Sequence, residues 1–289
     1  MTTSAGQTVG SQPRSSPAFA ARPDARAGRA ARVLSLAAAA WCVVAVCGQV
    51  LFAMYVAVFY GGALLAGQPE RWNAVVPHAW MPGQTTANLS LSAHLLLAML
   101  ILVSGALQLV PQVRQRLPAL HRWNGRFYLI AALLMGGGGM VMVWTRETPG
   151  DTLAHVLVSV NGALIVGFAL AAWRMAVARR IDTHRRWALR LWLAVGGVWF
   201  FRLGLTAWLV LNQGPRGFDP KTFQGPFLTA LGIAQYVLPL LVLQAYFHAR
   251  DHGSPGWRLG MAGVLGVLAV LTAFGTVCAS MILWLPRMA

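Results

Sequence analysis

The chain has 289 residues, of which 57% are hydrophobic and only 10% are charged, and its formal net charge is +16. Soluble domains are usually about 25% charged, so this composition favours a membrane protein. The positive charge does not indicate nucleic-acid binding, because the basic residues form short clusters between long apolar runs, as membrane topology requires.

The first 32 residues are rich in Ser, Ala, Pro and Arg and show no apolar period. They predict a disordered, basic cytoplasmic tail over 1–32, followed by a transmembrane domain over 33–289. The next apolar run begins like a signal peptide but continues to about Tyr60, well beyond the roughly 7–15 residues of a signal-peptide core. We therefore predict a first membrane helix there.

The apolar runs predict an all-α fold, a polytopic membrane helix bundle of about seven transmembrane helices. Each run can cross about 30 Å of hydrocarbon at a rise of about 1.5 Å per residue. The predicted spans are residues 33–60, 89–110, 124–144, 152–174, 187–211, 226–248 and 258–285.

The distribution of basic residues predicts the orientation of these spans. With the N-terminus inside, most of the 23 basic residues lie in the tail and the inner loops. Those predicted outside are Arg71, Arg146, Arg216, Lys221 and Arg287. The positive-inside rule therefore predicts an inside N-terminus and an outside C-terminus. Only one of the 23 basic residues, Lys221, is lysine, which favours a bacterial source, and we expect the inner (plasma) membrane.

Four histidines lie on four successive predicted spans. His94 and His155 lie near the outer face, on spans two and four, and His121 and His184 lie at the inner mouths of spans three and five. A b-type haem needs two imidazoles from different helices, so one pair near each face would form an electron path across the bilayer. The alternatives are interfacial anchoring for the inner pair and hydrogen-bonded core histidines for the outer pair.

Glycines accompany these histidines by helical phase. Gly105, Gly139 and Gly162 fall close to the faces of His94, His121 and His155. Such small residues let a haem ring approach the backbone, but they equally let two helices pack closely. The run "MGGGGM" (135–140) favours helix packing or a weak point in the helix.

Arg202 is the one basic residue predicted deep within a span, where an unpaired charge is costly. Its partner is expected to be an outer-loop acid such as Asp151 or Asp219, a backbone carbonyl or an anionic ligand, unless it reaches the outer headgroups. The spacing from His184 predicts that both side chains face one side of a single helix. No acid lies within a predicted span, which argues against a proton-coupled transporter and a di-iron bundle.

Several uncharged polar residues lie within the predicted spans. Gln108, Asn161 and Gln235 are predicted to form hydrogen bonds between helices.

Two motifs resemble a known family. The stretch "LHRWNGRFYL" (120–129) and the stretch "HRRWALRLW" followed by "FRL" (184–203) resemble domain of unknown function 2306, over roughly residues 90–250. The resemblance implies a multi-span membrane protein without a settled activity. The four-histidine layout is also similar to the cytochrome b561 superfamily, in which alternate helices hold two haems, and this second likeness is one of layout only.

The sequence therefore predicts a membrane protein that binds haem b and transfers electrons; if it is an enzyme, we expect a haem-dependent membrane oxidoreductase. Its expected partners are the lipid bilayer and a quinol or a soluble electron donor. The predicted cofactor-binding residues are His94, His121, His155, His184, Arg202, Arg122 and Arg185. The alternatives are a transporter or sensor of a small anion or lipid, and a structural membrane subunit.

Overall fold

A computed structural model describes residues 1–2, 25–146 and 148–288. Within these ranges the chain forms helices and no β-strand, which confirms the predicted all-α class. Most of the predicted disordered tail lies outside the described residues. Its last residues are helical, because the first helix begins at Ala25 and not at the predicted residue 33.

The α-helices are α1 (Ala25–Tyr55), α2 (Gly62–Leu65), α3 (Thr85–Leu109), α4 (Pro111–Arg116), α5 (Pro118–Thr145), α6 (Thr152–Val177), α7 (Ile181–Val195), α8 (Gly197–Leu211), α9 (Pro226–His252), α10 (Pro255–Ala279) and α11 (Leu285–Met288). A π-helical segment, Val56–Gly61, links α1 to α2, and a second one, Ser280–Trp284, links α10 to α11.

Six continuous helical stretches are long and apolar enough to cross a membrane. They are Ala25–Leu65, Thr85–Leu109, Pro118–Thr145, Thr152–Val177, Pro226–His252 and Pro255–Met288. The pair α7 and α8, bent by 46°, forms a seventh span if it is counted as one. The predicted spans are thus confirmed to within several residues at each end, whereas the orientation across the membrane stays a prediction.

The break between α7 and α8 is flanked by two amide side chains. A Cβ on Gly196 would lie 3.1 Å from Nε2 of Gln49 in α1, and one on Gly197 would lie 2.9 Å from Nδ2 of Asn161 in α6. The same Nδ2 donates to the Ala194 carbonyl at 3.3 Å, near the end of α7. Glycine therefore lets both amides approach the end of the helix, where backbone carbonyls lose their helical partners.

This break corrects the predicted relation between His184 and Arg202. The prediction assumed one uninterrupted helix, but His184 lies on α7 and Arg202 lies on α8. Because the helical phase is interrupted by the bend, spacing along the sequence does not place the two side chains on one face.

The helices form a bundle in which sequence neighbours pack on each other. α3 packs on α5, α5 on α6 and α6 on α7, while α1 packs mainly on α10. Large side chains fill the interior, including Trp72, Trp199 and Trp284. Many large hydrophobic side chains remain exposed on the outside, as expected for a surface that faces lipid.

The glycine run of α5 is a helix-packing surface on one of its sides. A Cβ on Gly136 would lie 3.0 Å from the Gly162 carbonyl oxygen of α6, whereas a Cβ on Gly137 would meet nothing within 4 Å. A Cβ on Gly162 would lie 2.7 Å from Met140. The α5–α6 contact therefore depends on the absence of side chains at Gly136 of α5 and Gly162 of α6. The helix-packing alternative is confirmed for Gly136.

We expect Gly136→Val to destabilise the protein by about 1–3 kcal/mol, because the new side chain overpacks against the α6 backbone. The matched control is Gly137→Val, whose side chain enters open space one residue away, and it should leave the stability within about 0.5 kcal/mol. Thermal unfolding in detergent measures both changes. Equal midpoints for the two variants would contradict the α5–α6 packing described here.

The orientation can be tested with reporter fusions. Alkaline phosphatase fused after residue 289 should be active in a bacterial host, because the charge distribution predicts an outside C-terminus. The same reporter placed in the connection between α6 and α7 should be inactive, while green fluorescent protein should fluoresce there. The reverse pattern at the two positions would show that the orientation is inverted.

Candidate functional site

Both inner histidines lie on the first turn of a helix. α5 begins at Pro118, which suits a first-turn position because proline has no N–H to leave unpaired, and His121 follows within that turn. α7 begins at Ile181 and carries His184 in its first turn. The predicted position of the two histidines at helix mouths is therefore confirmed.

A tight turn brings α7 back along α6. Arg179 adopts a left-handed conformation with φ of 57°, and the Arg180 N–H donates to the Met175 carbonyl at 2.9 Å, which closes the end of α6. His184 then reaches back to Ala172 of α6, and its Nδ1 lies 2.9 Å from the Ala172 carbonyl oxygen. The turn thus fixes the orientation of the imidazole ring.

This hydrogen bond also determines the tautomer of His184. A carbonyl oxygen can only accept, so Nδ1 of a neutral imidazole carries the hydrogen and Nε2 keeps its lone pair. Metal-ligating histidines commonly have this arrangement, with one ring nitrogen donating to a carbonyl and the other facing the metal. His184 therefore presents a nitrogen that is suited to ligation.

His121 has a buried ring nitrogen that lacks a partner. Its Nδ1 is inaccessible to solvent and makes no hydrogen bond with the described residues. His184 and Arg114 lie close enough to the ring to interact with it electrostatically. His184 is thus in electrostatic range of His121, although no hydrogen bond or ring contact joins them among the described residues. Among the same residues, one ring nitrogen on each histidine has no protein partner that would compete with a ligand.

A polar network between α3 and α5 holds the first turns of α5. The Asn124 amide donates to the Ser104 carbonyl and accepts from the Ser104 hydroxyl, both at 2.9 Å. Gln108 donates through Nε2 to the His121 carbonyl at 3.0 Å. Asn124 and Ser104 were not predicted as site residues, although Asn124 lies within the quoted "LHRWNGRFYL" motif.

Two of the three polar residues that were predicted to join helices do so. The roles of Gln108 and Asn161 are confirmed, since each donates to a carbonyl of a neighbouring helix. The prediction for Gln235 is wrong, because its Nε2 donates to the Gly232 carbonyl of its own helix at 3.0 Å.

The arginines beside the inner histidines lie at the surface. Arg122 is exposed, and Arg185 pairs with Asp182 at 3.5 Å, with 52% of its side chain accessible. Arg126 stacks over Trp123 at 4.8 Å. These side chains are placed to contact headgroups or an anionic group near the histidines.

The outer histidines occupy separate surroundings. Cε1 of His94 would lie 3.6 Å from a Cβ on Gly139 of α5. His155 shares a hydrogen bond between its Nε2 and the Thr148 hydroxyl at 3.0 Å and packs edge-on against Trp144. Within the described parts of the chain, no hydrogen bond or ring contact joins His94 to His155.

The glycines predicted to face the histidines are covered by other groups. A Cβ on Gly105 would meet Tyr128 and Trp192 at 3.0 and 3.1 Å, and Gly162 packs against α5. The predicted room for a ring beside these two glycines is therefore taken up by helix packing. Gly139 faces His94 and not His121, because α5 turns this position towards α3.

Arg202 is half-buried among aromatic side chains of the first span. Its Nη1 donates to the Val198 carbonyl at 3.1 Å, and its guanidinium lies 5.0 Å from the centre of the Phe52 ring. Tyr55 and Tyr60 lie close enough to interact with it electrostatically. Of the predicted partners, the backbone carbonyl is confirmed, and among the described residues no carboxylate forms an ion pair with it.

Two cavities lie apart from the four histidines. The larger, of about 710 Å³, is lined mainly by apolar side chains of α1, α8, α9 and α10. The smaller, of about 190 Å³, lies between α6, α8 and α9 and the loop before α9. None of the four histidines lines either cavity, and the sequence did not predict either of them.

The residue types of the inner pair are those that a b-type haem would take as its protein ligands. No group of three or more His, Cys, Asp or Glu that could hold a metal ion occurs among the described residues. A b-type haem needs only two protein ligands, because the macrocycle supplies the others. His121 and His184 have the residue type and the free ring nitrogens for this role, and they lie in electrostatic range of each other.

Comparison with known proteins agrees with the two sequence motifs. The model of a family described as predicted membrane protein, domain of unknown function 2306 (DUF2306), matches residues 91–238, which include both motifs. The comparison with curated proteins and the comparison with solved structures found no match, so the likeness to cytochrome b561 stays a prediction. The helices that could span a membrane and the match over half of its length together show that the chain belongs to the DUF2306 family of membrane proteins.

Proposed function

We propose that the protein binds haem b between the inner ends of α5 and α7 and transfers electrons at the membrane. His121 and His184 would hold the haem iron. The observation that supports this function best is that His184 is held as the tautomer with a free Nε2, beside a second imidazole whose Nδ1 is buried and unpaired. Bound haem would supply one-electron oxidation and reduction.

The surrounding residues have supporting roles in this proposal. The Ala172 carbonyl orients the His184 ring, and Gln108 anchors the backbone of the turn that carries His121. The exposed guanidiniums of Arg122 and Arg185 lie near the ligands, where they can pair with propionate groups. A quinol or a soluble protein is the proposed electron donor, because the site lies at the end of two membrane helices.

His94 and His155 are proposed as a second, outer pair of ligands. Ligation through Nε2 of His155 requires this nitrogen to release the Thr148 hydroxyl, with which it shares a hydrogen bond at 3.0 Å. His94 faces Gly139 of α5, so no side chain packs against the ring from that position. This part of the proposal can fail without affecting the inner pair.

Absorption spectra test the inner site. The protein, expressed with a haem precursor and purified in detergent, should show a Soret band and a reduced-minus-oxidised difference spectrum. His121→Ala and His184→Ala should each abolish the signal of the inner haem, because either change removes one axial ligand. A wild-type protein without Soret absorption would overturn the proposal.

A histidine remote from the site provides the control. His248→Ala changes a residue in the last turns of α9, whose ring contacts are to His252 and Trp257. This variant should retain the full spectrum, and all variants should elute as the wild type does on size exclusion. Loss of the signal in His248→Ala alone would place the haem elsewhere in the molecule.

The outer pair can be tested by haem stoichiometry. If His94 and His155 bind a second haem, His94→Leu or His155→Leu should lower the haem-to-protein ratio from about two to about one, since one ligand pair is lost. The pyridine haemochrome assay measures this ratio. A wild-type ratio of one that neither substitution changes would remove the outer pair and leave the inner pair in place.

A further inference from the structure

Three arginines surround one buried phenyl ring at the C-terminal end of α9. The guanidinium carbons of Arg186, Arg190 and Arg250 lie 4.9, 5.3 and 5.4 Å from the centre of the Phe247 ring. Phe247 itself is only 1% exposed. Three positive charges from α7 and α9 therefore lie around one ring. We call Arg186, Arg190 and Arg250 together with this ring the Phe247 arginine cluster.

The carboxylates at this cluster do not balance its charge. Asp251 pairs with both Arg186 and Arg250, so one negative charge serves two guanidiniums. Arg190 has neutral partners, the Gln244 side-chain oxygen at 2.9 Å and the Arg186 carbonyl at 3.3 Å. A group of three cations with one anion, at the end of membrane helices, attracts a further anion.

The larger cavity begins next to this cluster. Leu189 and Tyr246 line the cavity, and each is a sequence neighbour of a cluster residue, Arg190 and Phe247. The Arg250 guanidinium also lies 6.0 Å from the Tyr246 ring. The arginine cluster and the cavity therefore meet at Tyr246, whose ring contacts Arg250 and also lines the cavity.

The shape of the cavity suits a hydrocarbon chain. Its lining on α9 extends from Leu231 to Tyr246, which is about 22 Å of helix at a rise of about 1.5 Å per residue. One leaflet of the hydrocarbon core is about 15 Å thick, so an acyl chain fits along the cavity from the charged end. The volume of about 710 Å³ is lined almost entirely by apolar side chains.

We infer that the arginine cluster and this cavity together form a binding site for an anionic phospholipid. The phosphate lies at the Phe247 arginine cluster, and one acyl chain enters the cavity between α1, α8, α9 and α10. Guanidiniums bind phosphate oxygens with two parallel hydrogen bonds, which gives the site its preference for charge. This inference is independent of haem binding, since none of the four histidines lines the cavity.

Electron paramagnetic resonance with spin-labelled lipids tests the inference. Full-length protein is reconstituted in phosphatidylcholine, with phosphatidylglycerol or phosphatidylcholine carrying a label near the end of one chain. The wild type should immobilise phosphatidylglycerol in preference to phosphatidylcholine by a factor of about five or more, since each basic residue adds to the attraction of anionic lipid. Equal immobilisation of the two lipids would overturn the proposal.

Two kinds of variant separate the headgroup from the chain. Arg186→Gln with Arg190→Gln should reduce the preference towards one, whereas Arg71→Gln with Arg216→Gln removes the same charge from predicted outer loops and should keep it. Ala207→Phe and, separately, Ala38→Phe fill the cavity and should release the immobilised chain. Val270→Phe is the control for them, because Val270 is 69% exposed on the surface of α10.

Each variant result has a defined meaning. A preference that survives in the double arginine variant would overturn the headgroup assignment. Chain immobilisation that survives in both filled-cavity variants, with thermal unfolding like that of the wild type, would overturn the chain assignment. Loss of immobilisation in Val270→Phe as well would show that the labelled lipid occupies the outer surface of the bundle, which also overturns the cavity site.

Discussion

The hydrocarbon core of a bilayer offers no water, so every polar group inside this bundle must find its partner in the protein. The structure meets this constraint at some positions, whereas Tyr128, Trp199 and Trp284 each keep a buried polar atom without a partner among the described residues. Asn161 donates to a carbonyl of α7 where that helix breaks, and the Arg202 guanidinium lies against a carbonyl and an aromatic ring. His121, His184 and many of the described arginines lie at helix ends, where the headgroup region of a bilayer supplies polar partners.

The geometry of the inner site follows from how two helices begin. The left-handed Arg179 ends α6 and returns the chain at once, so that His184 meets the carbonyl of Ala172. On the other side, the reciprocal bonds between Asn124 and Ser104 fix the rotation of α5 against α3. The His184 ring is therefore oriented by a backbone carbonyl, and the helix that carries His121 is held by uncharged side chains and not by ion pairs, which salt would screen.

The spans could be predicted because a run of about twenty apolar residues has few alternatives to a membrane helix. The position of His121 and His184 at helix mouths could be predicted for the same reason. The relation of His184 to Arg202 could not, because the apolar run continues through Gly196 and only the fold places Gln49 and Asn161, from distant parts of the chain, beside the bend. The hydrogen-bond partner of Gln235 could not be predicted either, because the sequence does not show whether its amide bonds a neighbouring helix or the Gly232 carbonyl of its own helix.

The same limit applies to the cavity. Its walls come mainly from α1, α7, α8, α9 and α10, and no single one of these helices encloses it. The Phe247 arginine cluster likewise joins Arg186 and Arg190 of α7 to Arg250 of α9. Counting charges along the chain predicts that these arginines lie near the inner face, but it cannot show that all three contact the Phe247 ring.

The bend of 46° between α7 and α8 also has a mechanical consequence. An unbroken helix transmits a rotation along its whole length, whereas two short rods joined at adjacent glycines can pivot about that joint. α7, which carries His184, is hydrogen-bonded to α6 through the His184 ring. α8, which carries Arg202, packs against aromatic side chains of the first span. A movement of α8 can therefore be taken up by a change of the angle at Gly196 and Gly197, so that the position of the His184 imidazole on α7 is unchanged.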